Sequence, residues 1–387
     1  MLSRRSPFFL VLFAIVGCTS SDSDNAESRA AAVATYADIV FASYEDSLAA
    51  AQELQTSLAD FTAAPSEESL ASAKAAWLAA REPYGQTEAY RFYGGPIDDE
   101  DGPEALLNAW PLDEAYIDYV EGDAEAGLIN AVTEHPELTA DLLISSNEAG
   151  AEENVSVGFH AIEFLLWGQD FNDDGPGARP FNDYVDGEGQ NAGRRATYLN
   201  LTAELLVGHL QELVSEWDPA GTENYRTAFL SQSPNDALQS VLTGIGVLSK
   251  SELAGERIFT ALDNQSQEDE HSCFSDNTHR DMVTNAQGIA NVLRGSYRRT
   301  DGTEVTGTGL LEVIAEIDAE LASDLEQRNE ASLEAVGLIP VPFDRAIVVA
   351  EQRDLVLESV YRLQEQGDKI ADAATALGLI INTALPE

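Results

Sequence analysis

The chain has 387 residues, of which 44% are hydrophobic and 23% charged, which excludes a mainly disordered chain and a polytopic membrane protein. That length exceeds one comfortable core and points to two domains. Lys and Arg number 21 against 68 Asp and Glu, a formal net charge of −47; such a field repels nucleic acid and anionic lipid, draws cations and suits a salty habitat.

The first residues read as an address. Arg4 and Arg5 form a positive start, and Pro7 to Val16 is an apolar run too short to span a bilayer and of the size of a signal-peptide core. The run ends Ile15-Val16-Gly17-Cys18, which resembles a bacterial lipobox with Cys18 as the lipidated thiol. Thr19 follows, not the Asp that retains many lipoproteins in the inner membrane, so anchoring in the outer membrane facing the periplasm is expected. Residues 19–29 are polar and Ser/Asp-rich, as a flexible tether would be. With Cys18 lipidated, Cys273 is the only other thiol, and no intrachain disulfide is available.

Past residue 30 the pattern is helical. Val33, Tyr36, Val40, Tyr44, Leu48, Leu54 and Leu58 recur at spacings near 3 or 4. Pro65-Ser66-Glu67-Glu68 reads as a loop and helix start, and Leu70 to Phe92 continues helical until Gly94-Gly95-Pro96. A short apolar helix is expected over 155–168 and a Gly/Asp/Asn-rich loop over 169–191. An amphipathic helix over 195–217 carries Leu199, Leu206, Leu210 and Leu213. Asp218-Pro219-Ala220-Gly221 suits a boundary, and residues 235–262, 277–298, 309–329 and 343–383 read as four more helices. No convincing run of period-2 alternation appears. The expected fold is all-α, with tandem helical bundles over 30–218 and 219–387 after the leader (1–18) and tether. AIEFLLWG (161–168) aligns with GIANVLRG (288–295), which is what a diverged duplication would leave; His160 then corresponds to Gln287 and Glu163 to Ala290.

The informative segment is SVGFHAIEFLLWGQD (156–170). His160 and Glu163 stand three apart on one helix face. Apolar residues surround them on every side, so the helix is expected in a core and its two titratable groups buried. A buried carboxylate needs a partner or a proton. Three readings stand open: a metal held with ligands from neighbouring helices, an ion pair between Glu163 and an arginine such as Arg91, or a simple mutual hydrogen bond.

Gly158, His160 and Glu163 form a G-x-H-x-x-E pattern that resembles the signature of the imelysin-like family. REPYGQTEAYRFYGGPIDDEDGPE (81–104), GQDFNDDGPGARPFNDY (168–184) and HSCFSDNTHRDM (271–282) are similar to its iron-regulated-protein branch, in order along residues 30–383. The resemblance implies two helical bundles, a place in the bacterial envelope and expression tied to iron. It also implies that His160 and Glu163 are metal ligands. Members have been classed as metallopeptidases, yet residue 161 is Ala and residue 164 is Phe, so neither HExxH nor HxxEH is present. If both motif residues are ligands, a general base must come from elsewhere, such as Glu88. Metal binding therefore ranks ahead of peptidase activity.

Glu88, on a helix rich in aromatic and small residues, is the expected third ligand. One nitrogen with carboxylate oxygens suits iron, manganese or zinc better than copper(I), and the resemblance puts iron foremost, with zinc or manganese as alternatives. In the second half a polar cluster of Glu270, His271, Cys273, Asp276, His279, Arg280 and Asp281, with Glu252, Glu256 and Arg257, is a candidate for closing a cleft between the bundles with Arg91. Capping by Ser275 or Asp276 and ordinary helix surface are the alternative. Asp170, Asn172, Asp174 and Gly175 match the start of a calcium loop, but Phe181 stands where its glutamate belongs. The expected role is a non-enzymatic, lipid-anchored protein that binds a metal ion or iron complex and serves envelope iron-uptake proteins. A metal-dependent peptidase and a haem or iron-chelate module are the alternatives.

Overall fold

The computed structural model describes residues 20–172 and 175–385. Cys18 and Asp174, and with them the lipidation and half of the calcium-loop reading, lie outside the described residues. The fold is all-α, as expected. The first helix, Ser20–Ala63, packs against Glu67–Thr87 and Ala192–Trp217. All seven apolar positions read from its spacing are buried. The described helix already includes Ser20, so it runs through the segment expected to be a tether. Arg29 gives one reason: its guanidinium donates to Asn25 and Asn235 side chains and to the Leu377 carbonyl, fixing this end of the helix to the far end of the chain.

Ser66 caps the second helix as its sequence suggests, exchanging hydrogen bonds with Ser69 in a capping box. In the C-terminal half, Ala350–Ala376 packs on Ala319–Gly337, on Pro234–Val247 and on Leu248–Phe259. That last segment is a π-helix, with one more residue in each hydrogen-bonded turn than an α-helix. Thr278–Arg294 lies against Glu67–Thr87 and joins the two groups of helices. Their approach is close: a Cβ on Gly288 would come 2.3 Å from the Gln86 carbonyl oxygen, so only glycine fits.

The expected helix over 309–329 is two, Leu310–Ala315 and Ala319–Gly337, parted where Asp318 caps the second. A hairpin of two three-residue strands, Ser296–Arg298 and Glu304–Thr306, was not read from the sequence because three residues carry too little alternation. Its Tyr297 hydroxyl donates to Asp46 on the first helix. Both segments of the short repeat are helical and end in a glycine of positive φ, Gly168 at 72° and Gly295 at 66°. No described helix is long and apolar enough to cross a membrane.

Candidate functional site

The motif helix, Gly158–Trp167, is buried along its whole length. Gly158 makes its start possible. Its φ is +87°, and a Cβ there would lie 2.6 Å from the Leu107 carbonyl oxygen. Around this start Tyr198 donates from its hydroxyl to the Ser156 carbonyl, and the Trp77 indole donates to the Phe159 carbonyl. The helix is therefore held rigidly inside the core, and so are the side chains it carries.

His160 and Glu163 meet as their spacing requires, with Nδ1 2.8 Å from Oε2. The other carboxylate oxygen, Oε1, accepts from the backbone N–H of Ser275 at 2.9 Å and from its hydroxyl at 2.7 Å. Among the described residues no guanidinium is hydrogen-bonded to Glu163, and Arg81 acts on it only through its charge. Burial pushes its carboxyl up to about 8, against the lowering effect of Ser275. Burial and the nearby His271 and Arg81 hold His160 well below the usual histidine range, so its ring is neutral at pH 7. Nε2 of His160 is buried and has no hydrogen-bond partner. Its ring neighbours are His271, with centroids 4.8 Å apart, and Trp110 at 5.2 Å.

Glu88 is elsewhere in function, which corrects the expected ligand set. It sits buried at the end of the second helix, in the 3-10 turn Glu88–Tyr90. Its Oε2 accepts from Arg257 at 2.7 Å and from Arg91 at 2.9 Å, and its Oε1 from Asn108 at 3.1 Å. Burial alone would raise its pKa, but Arg257 and Arg91 outweigh it and hold Glu88 at about 2. A carboxylate so neutralised is neither an open metal ligand nor a useful base. Arg91 also pairs with Glu104 at 2.8 Å, so the alternative of an Arg91–Glu163 pair falls too. The π segment delivers Arg257 and Glu252 to this cluster; Glu252 accepts from Arg257 at 2.9 Å.

A buried polar chain links the two clusters. Asn108 accepts from Arg81 at 2.6 Å and lies 3.3 Å from Nε2 of His271. Arg81 pairs with Asp281 at 2.9 Å, and Asp281 also meets Nδ1 of His271 at 3.4 Å and the Ser272 hydroxyl. Arg81 and the His271 contacts hold Asp281 ionised despite its burial. A cleft of about 490 Å³ opens beside this chain, lined by Arg91, Asn108, Trp110, Glu252, Arg257 and His271. Arg91, Glu252 and Arg257 were expected in such a cleft. Asp276 and His279 are not among its lining residues. Burial, then the charges of Asp170 and Asp344, push Asp276 up, and Nδ1 of the half-buried His279 lies 3.1 Å from the Asp276 carbonyl oxygen.

Ser275 and Asp276 do not cap the following helix; Asn277 occupies that position without a side-chain cap bond. The Ser275 hydroxyl is drawn to the buried Glu163 instead. The sequence reading placed His271 in a cluster that could close the cleft, but did not single out Ser275, Arg81, Asn108 or Trp110 as site residues. Ser275 lies in the HSCFSDNTHRDM stretch, and Arg81 opens REPYGQTEAYRFY, so the stretches were noticed and their roles were not. Cys273 is a buried free thiol pushed up by burial, in keeping with a packing role.

The Imelysin family model matches residues 40–370. The chain belongs to the imelysin family. It is 28% identical over 314 residues to iron-regulated protein A of Synechococcus elongatus, covering 79% of this chain and 74% of that one. A crystal structure described as an iron-regulated protein A precursor of Parabacteroides distasonis superposes with a TM-score of 0.71 at 22% identity, covering 90% of this chain and 95% of that one. An imelysin-like protein of Psychrobacter arcticus gives 0.64 at 13% identity over 92% and 98%. These two likenesses establish the shared imelysin fold.

Proposed function

We propose that this imelysin-family chain is a non-enzymatic, lipid-anchored protein of the bacterial envelope, placed on the outer membrane facing the periplasm. It takes up a transition-metal ion as cargo, iron foremost and zinc or manganese as alternatives, and passes it to envelope iron-uptake proteins. The single observation that carries the reading is the unpartnered, buried Nε2 of a neutral His160 whose other nitrogen is fixed by Glu163. In the resting pair the Glu163 carboxyl keeps its proton; an incoming ion displaces it, the carboxylate then accepts from Nδ1–H, and Nε2 is left to ligate the metal. Among the described residues no three His, Cys, Asp or Glu side chains converge to hold a bare ion. The fit is therefore to an incoming ion that brings part of its own ligand shell, not to a resident metal caged by the protein. His160 would be its first ligand, His271 stands beside it, and Glu163 orients the ring. His271 and Trp110, the ring neighbours of His160, line the cleft, while His160 itself does not. The lipobox at Cys18 and the names of the iron-regulated relatives support the envelope and iron parts of the reading.

A peptidase reading loses its remaining base, because Arg257 and Arg91 occupy Glu88. The test is metal analysis of the full chain purified without a His tag and offered iron, zinc or manganese. The wild type is expected to retain metal, His160→Ala to lose it, and Glu163→Gln to weaken it by about 10–100-fold. Equal metal content in His160→Ala would remove the proposal. Absorbance changes with an iron chelate that survive His160→Ala would move the binding to the cleft alone. Casein turnover abolished by a chelator would restore the peptidase.

A further inference from the structure

The segment that follows the Thr260–Asn264 helix has two faces. On one, Ser275 serves Glu163. On the other stands Glu270, which no part of the site above uses. Glu270 is 0% exposed, and neither of its carboxylate oxygens has a hydrogen-bond partner. The Thr278 hydroxyl is near and favours the charged form without reaching hydrogen-bond geometry. The charges that act most on Glu270 are those of Asp344, Asp276 and Asp170, all of them acids. The charges of Asp170 and Asp344 also raise Asp276, after burial, and it sits at φ +57°, on left-handed backbone. Asp344, nearly buried, belongs to the Phe343–Val348 helix, and Asp170 to the loop after the motif helix. Asp344 and Arg345 each have a contact of their own; the unmet oxygens are those of Glu270.

Gln267 donates to Asp170 Oδ2 at 2.6 Å and the Gly177 N–H to the Phe274 carbonyl at 2.9 Å, so the loop after the motif helix touches the Glu270 segment; Asp170 Oδ1 accepts from Asn172, and the charges of Asp276 and Asp344 bear on the same buried, unserved Glu270. Leaving an ionised carboxylate in that state costs several kcal/mol on the usual scale. A proton would cancel the charge but would itself lack an acceptor aimed at it. A hard cation satisfies both oxygens and offsets the mutual repulsion of the acids. The donor set is all oxygen, which selects calcium-like ions over the softer metals that a histidine site prefers. These side chains do not yet converge on one point. Calcium takes six to eight oxygens in a flexible shell that includes carbonyls and waters, whereas magnesium demands near-ideal octahedral geometry. Asp170 is also the first residue of the calcium-loop pattern in the sequence.

We propose that Glu270, Asp276, Asp344 and Asp170 form a calcium-type divalent-cation site that fastens the segment around Glu270 to the Phe343–Val348 helix and the Asp170 loop. The site is separate from His160 and does not depend on the metal reading given there.

The test uses the full chain stripped with EGTA, then titrated with calcium chloride and, in parallel, magnesium chloride, with thermal melting and calorimetry as readouts. Calcium is expected to raise the melting temperature more than magnesium does. Glu270→Gln is expected to abolish that excess, weaken calcium by about 10-fold or more, and melt in EGTA at least as high as the wild type. Asp276→Asn, at a half-buried position, serves as the second variant and is expected to weaken calcium in the same direction. Glu163→Gln is expected to keep the wild-type calcium response, which separates this site from the histidine site. Calcium and magnesium responses of equal size in the wild type, or a calcium response unchanged in both Glu270→Gln and Asp276→Asn, overturn the proposal. So does a calcium response lost in Glu163→Gln and kept in Glu270→Gln.

Discussion

Two buried glutamates, Glu88 and Glu163, occupy neighbouring parts of the same interior and have opposite chemistry. Both are at most 1% exposed. Glu88 receives two guanidinium groups and an amide and is held at about 2. Glu163 receives a hydroxyl, a backbone N–H and an imidazole, none of them a fixed cation, and is pushed up to about 8. Burial by itself therefore does not mark a ligand; the counter-charge does. Where the protein supplies arginines, the carboxylate ties helices together. Where it supplies only neutral donors, an imidazole nitrogen is left unmet beside it, and the site is open to a cation from outside.

The largest expected break in that contrast is Glu88→Gln. It removes the shared partner of Arg91 and Arg257 and leaves two buried guanidinium groups facing each other across a neutral amide. Loss of about 3–5 kcal/mol is expected by chemical denaturation, the scale for breaking a buried pair on one side. The sign of its pH dependence is fixed by the depressed value. Glu88 ionises at about 2 in the fold against an ordinary 4.5, so its contribution is present above 4.5 and is lost as pH falls towards 2. The variant is expected to lose that part of the acid limb. A change below about 1 kcal/mol, typical of surface pairs, would mean that Glu88 is not the anchor described.

Next comes Gly158→Ala. The φ of +87° and the 2.6 Å approach of the Leu107 carbonyl oxygen leave no space for a methyl group. A cost of about 2 kcal/mol or more is expected. Because Gly158 sets the entry of the motif helix, metal retention should fall with it. Full retention in a folded variant would show that His160 does not rely on that entry.

The same contrast explains what the sequence could reveal. Helices with a clear apolar stripe, such as Leu199, Leu206, Leu210 and Leu213, emerge from spacing, and all four residues are buried. The pairing of His160 with Glu163 is a local, three-residue relation and was equally legible. The fate of Glu88 was not. Arg257, its nearest partner, lies 169 residues away, on a π segment whose widened turns have no signature in an apolar pattern. Loop residues such as His271 and Ser275 have no periodicity to read, so their direction towards the motif helix had to come from the structure. Ser275 looked like a helix cap by position, but a buried carboxylate competes for a hydroxyl more strongly than a solvent-reachable helix end does.

The smallest expected effect is the pH response of Glu163, and it is the sharpest test of the pair. Its value rises from an ordinary 4.5 to about 8 in the fold. Between those limits the folded chain keeps a proton that the unfolded chain has released, so stability falls as pH rises through the window. Glu163→Gln cannot titrate and is expected to lose part of that slope. Urea denaturation in EDTA at successive pH values should show the wild type losing ground to the variant by on the order of 1 kcal/mol per pH unit at most. Glu270, raised by burial and its acidic neighbours, slopes in the same direction and leaves a remainder in both proteins. No difference between the two proteins would mean that Glu163 already ionises in the ordinary carboxylate range. The carboxylate would then accept from Nδ1–H, and Nε2 would keep its lone pair for an incoming ion with no proton to displace.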